Sequence, residues 1–147
     1  MTQPSPIFGS NLYLDANLIV YASEGSPFLT DAVKKLLLRV DSDELSATTS
    51  EITLAEVLVR PLRDNDAPLA DRYRQRIKSG RTLTVMPVTR DILESAAQLR
   101  ANSASLKLPD AIHAATALPS GCNAFITNDS RFKTVPGLNA LLLSELT

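Results

Sequence analysis

The sequence predicts an α/β fold in which helices cover both faces of a mainly parallel central sheet. Two observations carry this prediction. Short apolar strand patterns alternate with helix patterns along all 147 residues, which is typical of βαβ units. The length also suits one domain with a single core, and no repeat or long linker divides the chain. We therefore expect residues 11–147 to form one domain after an irregular leader of residues 1–10.

In the amino-terminal half, apolar spacing and breaker residues predict the order strand, helix, helix, strand, helix, helix. The predicted strands are 11–14 and 45–47. A short helix is predicted to begin at 17–21, and two further helices are predicted over 27–40 and 67–79. The other helix starts at a capping-box spacing of Thr48 and Glu51 and ends near Arg60, because Pro61 follows.

The carboxyl-terminal half continues the alternation. Thr89 is predicted to cap a helix over 90–102, and Pro109 suits the first turn of a helix that ends near Leu118. The predicted strands are 83–88, 123–126 and 138–142.

Composition excludes several classes of protein. The apolar runs are too short to span a bilayer, and the first nine residues lack the basic and apolar regions of a signal peptide. Cys122 is the only cysteine, so no internal disulfide can form, which favours a reducing cytoplasm. The net charge of −1 counts against a protein that coats nucleic acid, yet it allows an enzyme that grips phosphates through a metal.

Four carboxylates lie in apolar phrases at positions where an acid is unusual. Asp15 ends the first predicted strand, Asp129 follows the strand that ends at Ile126, Asp110 lies in a first helical turn, and Glu56 lies inside a helix. Acids are seldom buried unless they are paired or bind a metal. Because binding sites form at the carboxyl ends of parallel strands, these groups can converge there. An all-oxygen ligand set favours Mg²⁺ or Mn²⁺, ions that can generate hydroxide and support in-line displacement at phosphorus.

Each carboxylate alone also has a structural explanation. Asp15 could cap a helix, Asp110 could complement a helix dipole, Asp129 could be a turn residue, and Glu56 could face solvent. It is the occurrence of all four in one small domain that favours a shared cation site.

The four phrases together resemble the PIN-domain family of metal-dependent ribonucleases, and in particular its VapC-type toxins from bacterial toxin–antitoxin pairs. The matching segments are 14–17 (LDAN), 53–57 (TLAEV), 108–117 (LPDAIHAATA) and 125–129 (FITND). Of these, 108–117 is the most specific, and the resemblance extends from about Asn11 to Leu142.

This resemblance implies a three-layer α/β/α sandwich, Mg²⁺ or Mn²⁺ as cofactor, RNA as substrate, a homodimer, and a small antitoxin that blocks the site. It implies that the catalytic carboxylates are Asp15, Glu56, Asp110 and Asp129. Among them, Asp15 and Asp110 are the implied direct metal ligands. The residues implied to support these ligands or to contact substrate are Thr127 and Asn128. For Asn17, we expect a role in orienting Asp15 or water, and helix capping explains its position equally well.

Other interpretations remain open at this stage. His113 is the only histidine, which excludes a two-histidine mechanism within one chain but leaves a Glu56–His113 pair beside a packed structural role. The basic residues of 72–81 suit a solvated helix or an RNA contact. A non-catalytic PIN-like scaffold that binds RNA or protein, a DNA-directed nuclease and a phosphotransfer receiver domain are alternatives. The receiver needs paired acids after the first strand, where Ala16 and Asn17 stand instead.

Overall fold

The computed structural model describes residues 11–27 and 29–146. The predicted leader, residues 1–10, lies outside this range. The strands are β1 (Asn11–Leu14), β2 (Ser46–Ser50), β3 (Leu83–Met86), β4 (Ala124–Thr127) and β5 (Ala140–Leu142). The helices are α1 (Ala16–Glu24), α2 (Asp31–Asp41), α3 (Ile52–Arg63), α4 (Ala67–Arg76), α5 (Arg90–Asn102) and α6 (Leu108–Ala117). Short 3₁₀ turns lie at Leu118–Ser120, Ser130–Thr134 and Leu143–Glu145.

The five strands form one sheet in the order β3-β2-β1-β4-β5, and every neighbouring pair is parallel. Helices α1 to α4 contribute to the core on one face, and α5 and α6 to the core on the other. The predicted three-layer α/β/α sandwich is therefore confirmed. Among the described residues, no helix is long and apolar enough to cross a membrane.

Strand β1 is buried on both faces, as expected for the centre of a parallel sheet. Leu12 and Leu14 join the core under α1 to α4, while Tyr13 points into the core under α5 and α6. There the Tyr13 ring stacks on Phe125 with ring centroids 4.9 Å apart, and Phe125 packs on Phe132 at 4.5 Å. This aromatic stack packs β1 against β4.

The direction in which the sheet is built reverses at β1. Strands β2 and β3 extend it to one side, and the chain then returns to add β4 and β5 on the other. A ligand crevice is expected where the strand order reverses, outside the carboxyl ends of the strands. Leu14 pairs with Ile126 in the β1–β4 register, so Asp15 and Thr127 emerge side by side at this point.

The predicted capping box at Thr48 and Glu51 is wrong. Thr48 lies inside β2, where its register partners are Tyr13 and Thr84. Helix α3 begins only at Ile52, whose backbone N–H donates to Ser50 Oγ over 3.2 Å. A residue that is paired on both sides within a sheet cannot take the cap position, and here tertiary pairing overrides the local signal.

The prediction that Pro61 ends the helix is also wrong, because α3 continues to Arg63. Proline has no N–H for the helix ladder, which usually breaks a helix. Here Thr53, Val57 and Pro61 recur at four-residue spacing and are all buried. The burial of this stripe offsets the missing hydrogen bond.

The remaining differences concern the ends of elements. Helix α2 begins at Asp31 rather than residue 27, because Thr30 Oγ1 accepts a hydrogen bond from Val33 N. Helix α4 ends at Arg76, before the predicted end at residue 79. Thr89 does cap α5, over the predicted range, by accepting from Ile92 N at 3.2 Å.

Candidate active site

Asp15 caps a helix and also lies at the carboxyl end of β1, where β1 pairs with β4. Its Oδ1 accepts from Leu18 N at 3.3 Å, and its Oδ2 accepts from Thr127 Oγ1 at 2.6 Å. The side chain is buried, and this burial raises the pKa of the carboxyl to about 6, although the Thr127 hydrogen bond and the nearby His113 act in the opposite direction. The ionised form of Asp15 is therefore destabilised by burial more than its neighbours stabilise it.

Thr127 connects two of the predicted carboxylates. It is the last residue of β4 and is fully buried. Its hydroxyl donates to Asp15 and accepts from the backbone N–H of Asp129 at 3.1 Å. One side chain thus sets the orientation of Asp15 and the start of the turn that carries Asp129.

Asp129 and Asp110 are joined by Arg131, which the sequence did not single out. Asp129 Oδ1 accepts a hydrogen bond from the Arg131 backbone N–H at 2.9 Å. Asp129 Oδ2 accepts one from Arg131 Nε, also at 2.9 Å. Arg131 Nη2 also reaches Asp110 Oδ2 at 3.4 Å. These contacts lower the pKa of Asp129, while burial raises the pKa of Asp110 against the opposing charge of Arg131. The only local signal for Arg131 was its position two residues after Asp129.

Glu56 lies at the end of a buried polar chain. Its Oε1 is 2.6 Å from His113 Nε2, and His113 Nδ1 is 2.7 Å from the hydroxyl of Tyr13. Because a carboxylate only accepts hydrogen bonds, Nε2 carries the proton. The His113 side chain is 2% exposed and that of Glu56 is 32% exposed. The buried histidine therefore fixes the position of the more exposed glutamate from the side of the core.

Two threonines that are not among the predicted site residues hold α3 against β1. Thr49 Oγ1 donates to the Leu14 carbonyl at 2.8 Å and lies 2.7 Å from Thr53 Oγ1. Since the only hydroxyl proton of Thr49 is used on Leu14, Thr53 donates to Thr49. Thr53 precedes Glu56 by three residues, about one helical turn, so this contact helps to bring Glu56 toward Asp15.

The four predicted carboxylates therefore lie at one edge of the molecule. Asp110 interacts electrostatically with Asp129 and Glu56, and Asp15 interacts with Glu56. However, within residues 11–27 and 29–146, no three His, Cys, Asp or Glu side chains are arranged so that they could hold a metal ion as they stand. Each carboxylate is instead bonded to a protein group: Thr127, His113 or Arg131.

The donor set nevertheless suits a hard divalent cation in its chemistry. Its ligating atoms are carboxylate oxygens, the type that Mg²⁺ and Mn²⁺ prefer. The raised pKa values of Asp15 and Asp110 indicate that added positive charge would stabilise their ionised forms. Among the described residues, side chains would have to move before three carboxylates could hold one ion.

Asn17 and Asn128 are exposed next to this cluster, Asn17 in the first turn of α1 and Asn128 between Thr127 and Asp129. In the basic stretch, Arg74 pairs with Asp71 at 2.8 Å. Arg81 lies 3.4 Å from an oxygen of Asp43. These exposed pairs agree with a solvated surface at those two positions.

The fold and the family comparison agree on the class of protein. The PIN-domain family model matches residues 12–138, which is most of the chain, and the chain belongs to that family. PIN domains generally depend on divalent metal ions. No curated protein matches the sequence.

Solved structures of VapC-type and related toxins share the fold. A toxin–antitoxin complex from Klebsiella pneumoniae is 26% identical, with a TM-score of 0.66 over 92% of this chain and 99% of that one. VapBC2 from Rickettsia felis, bound to a promoter DNA fragment, is 19% identical with a TM-score of 0.69 over 90% and 98%. The Mycobacterium tuberculosis VapC20 toxin, which cleaves the sarcin–ricin loop, is 18% identical with a TM-score of 0.68 over 83% and 92%.

Proposed function

We propose that this protein is a metal-dependent endoribonuclease that cleaves RNA phosphodiesters and serves as the toxin of a type II toxin–antitoxin pair. The observation that carries the proposal is the gathering of Asp15, Glu56, Asp110 and Asp129 near the carboxyl ends of β1 and β4. Membership of the PIN family and likeness to toxin–antitoxin structures support the same reading.

In this proposal, Asp15 and Asp110 hold Mg²⁺ or Mn²⁺, and Glu56 and Asp129 complete the acidic cluster. When bound, such an ion lowers the pKa of water and stabilises the charge that develops on the phosphoryl oxygens. Thr127 keeps Asp15 in place through its 2.6 Å hydrogen bond. The exposed amides of Asn17 and Asn128 are available to the RNA backbone at the rim of the site.

His113 acts in this scheme as a positioning residue for Glu56. The 2.6 Å contact between them also fits the alternative of a metal-independent Glu–His ribonuclease. A general acid or base must come within hydrogen-bond reach of its substrate, and His113 is 2% exposed behind Glu56. Burial therefore favours the positioning role.

A cleavage assay tests the proposal and separates it from a non-catalytic RNA- or protein-binding scaffold. We expect RNA cleavage with Mg²⁺ or Mn²⁺ and none in EDTA. Asp15→Asn and Asp110→Asn should each reduce turnover by orders of magnitude, because members of one metal cluster act as a unit. Asp31→Asn and Glu94→Gln, both exposed on helices outside the site, are matched controls. Full cleavage in EDTA, or equal losses in both groups, contradicts the mechanism.

The toxin role predicts partners as well. We propose a small antitoxin that blocks the acidic site, a homodimer and a cytoplasmic location. Expression alone should arrest the growth of a bacterial host, and co-expression of the antitoxin should relieve the arrest. Asp15→Asn is the control that should be harmless. Harmless expression of an active, RNA-cleaving wild type would instead indicate a housekeeping nuclease.

A further inference from the structure

Arg131 is placed to neutralise the acidic site from within the chain. Its Nε lies 3.0 and 2.9 Å from the two oxygens of Asp129, and its Nη2 contacts Asp129 as well. Nη2 extends 3.4 Å to Asp110 Oδ2, and Nη1 donates to the Ser105 carbonyl at 3.2 Å. One guanidinium thus spans two carboxylates from different elements and is anchored to a loop on its third side.

The contacts of Arg131 occupy atoms that a cation would need. A guanidinium that forks onto a carboxylate uses the lone pairs in the carboxylate plane, and it brings a full positive charge into the site. A divalent ion held by Asp110 would meet that charge at close range, where repulsion between cations is strong. The two cations therefore compete for the same oxygens.

We propose that Arg131 is a counter-ion, supplied by the chain itself, that holds Asp110 and Asp129 in the metal-free protein. To bind at Asp110, Mg²⁺ or Mn²⁺ must displace Arg131 from that carboxylate. The inference rests on the proposed metal-dependent function. Arg131 offsets the repulsion between the carboxylates of Asp110 and Asp129, both of which it contacts. Arg131 then stabilises the metal-free state and weakens the affinity for metal.

The test is Mn²⁺ binding to the purified protein, measured by isothermal titration calorimetry, together with melting curves in EDTA. We expect Arg131→Gln to bind Mn²⁺ roughly two- to tenfold more tightly than wild type, the size expected from loss of one partly exposed ion pair. Its melting temperature in EDTA should fall. Arg131→Lys keeps the charge but loses the fork, and its affinity should lie between the two; it also serves if the glutamine variant does not fold.

Arg39→Gln is the matched control. Arg39 has the same 39% side-chain exposure as Arg131 and pairs with Glu44 at 2.8 Å, beside the end of α2. Its substitution should leave Mn²⁺ affinity unchanged. If wild type binds Mn²⁺ and both Arg131 variants bind it equally or more weakly, the counter-ion role is overturned and the proposed function stands. A wild type that binds no Mn²⁺ overturns both.

Discussion

At the residue scale, single polar groups in this protein serve the fold and the site together. Asp15 caps α1 through Leu18 N and accepts a hydrogen bond from Thr127 at the end of β4. Asp129 caps the following 3₁₀ turn and pairs with Arg131. The structural explanations that were open for Asp15 and Asp129 from sequence are therefore correct, and they coexist with a place in the acidic cluster.

The raised pKa of Asp15 predicts that replacing this residue increases the free energy of unfolding, by an amount that depends on pH. The pKa rises from 3.8 to about 6 on folding, so the ionised side chain costs stability above pH 6 and costs nothing below pH 3.8. In EDTA, Asp15→Asn should raise the free energy of unfolding by about 1–3 kcal/mol at pH 7.5. Asparagine retains the helix cap.

The difference between Asp15→Asn and wild type should shrink as the pH falls through 6 and disappear near pH 3.8. Urea denaturation across this range measures it. A mutant that is less stable at pH 7.5, or a difference that does not change with pH, shows that Asp15 is not strained by its burial.

Tyr13→Phe tests the chain that supports Glu56. The substitution keeps the ring that stacks on Phe125 but removes the partner of His113 Nδ1, 2.7 Å away. A buried polar atom left without a partner costs about 1–3 kcal/mol. We expect a lower urea midpoint and slower RNA cleavage, with cleavage impaired even where the variant is fully folded. An unchanged midpoint would mean that solvent or a neighbouring group satisfies His113.

At the scale of elements, side-chain caps mark where α2 and α5 begin, whereas packing lets α3 continue past a proline. Thr30 and Thr89 each accept a backbone N–H three residues later, and α2 and α5 begin directly after them. Helix α3 has no side-chain cap on Glu51 and contains Pro61, yet it extends to Arg63 along a buried stripe. Local hydrogen bonds thus mark the start of α2 and α5, whereas burial in the core determines how far α3 extends.

Thr89→Ala should show what the cap of α5 contributes. Loss of the Thr89 Oγ1 acceptor leaves Ile92 N unpaired by a side chain, and such caps are worth about 1 kcal/mol. Thr89→Ser retains the hydroxyl and should stay within a few tenths of a kcal/mol of wild type. Urea denaturation of the two variants measures both values. Equal losses in alanine and serine would assign the effect to the lost methyl group instead.

At the scale of the whole molecule, the order β3-β2-β1-β4-β5 brings the residues of the candidate site together. Residues 15 and 127 are far apart in the chain and meet because β4 returns to pair with β1. The same architecture leaves apolar side chains uncovered on the outside. Val59 and Leu62 lie three residues apart on α3 and are 59% and 54% exposed, which suits a face buried in the proposed homodimer.

Light scattering of the purified protein tests this assembly. We expect wild type to be a dimer, and Val59→Asp or Leu62→Asp to be monomeric, because a charge at the centre of an apolar interface is costly to desolvate. Leu38→Asp on α2, where the leucine is 64% exposed, is the control and should remain dimeric. A monomeric wild type, or dimeric aspartate variants on α3, would exclude this face.

Local pattern was enough to predict β1, α5 with its Thr89 cap, the alternation of strands and helices, and the element on which each of the four carboxylates lies. It was not enough for Thr48, which pairs within the sheet, or for Arg131, whose link to Asp110 spans 21 residues. The Tyr13–His113–Glu56 chain joins residues 100 and 57 positions apart. Periodicity and caps report the conformation of a few neighbouring residues, whereas these contacts depend on how distant strands and helices are brought into register, and only the tertiary structure decides that.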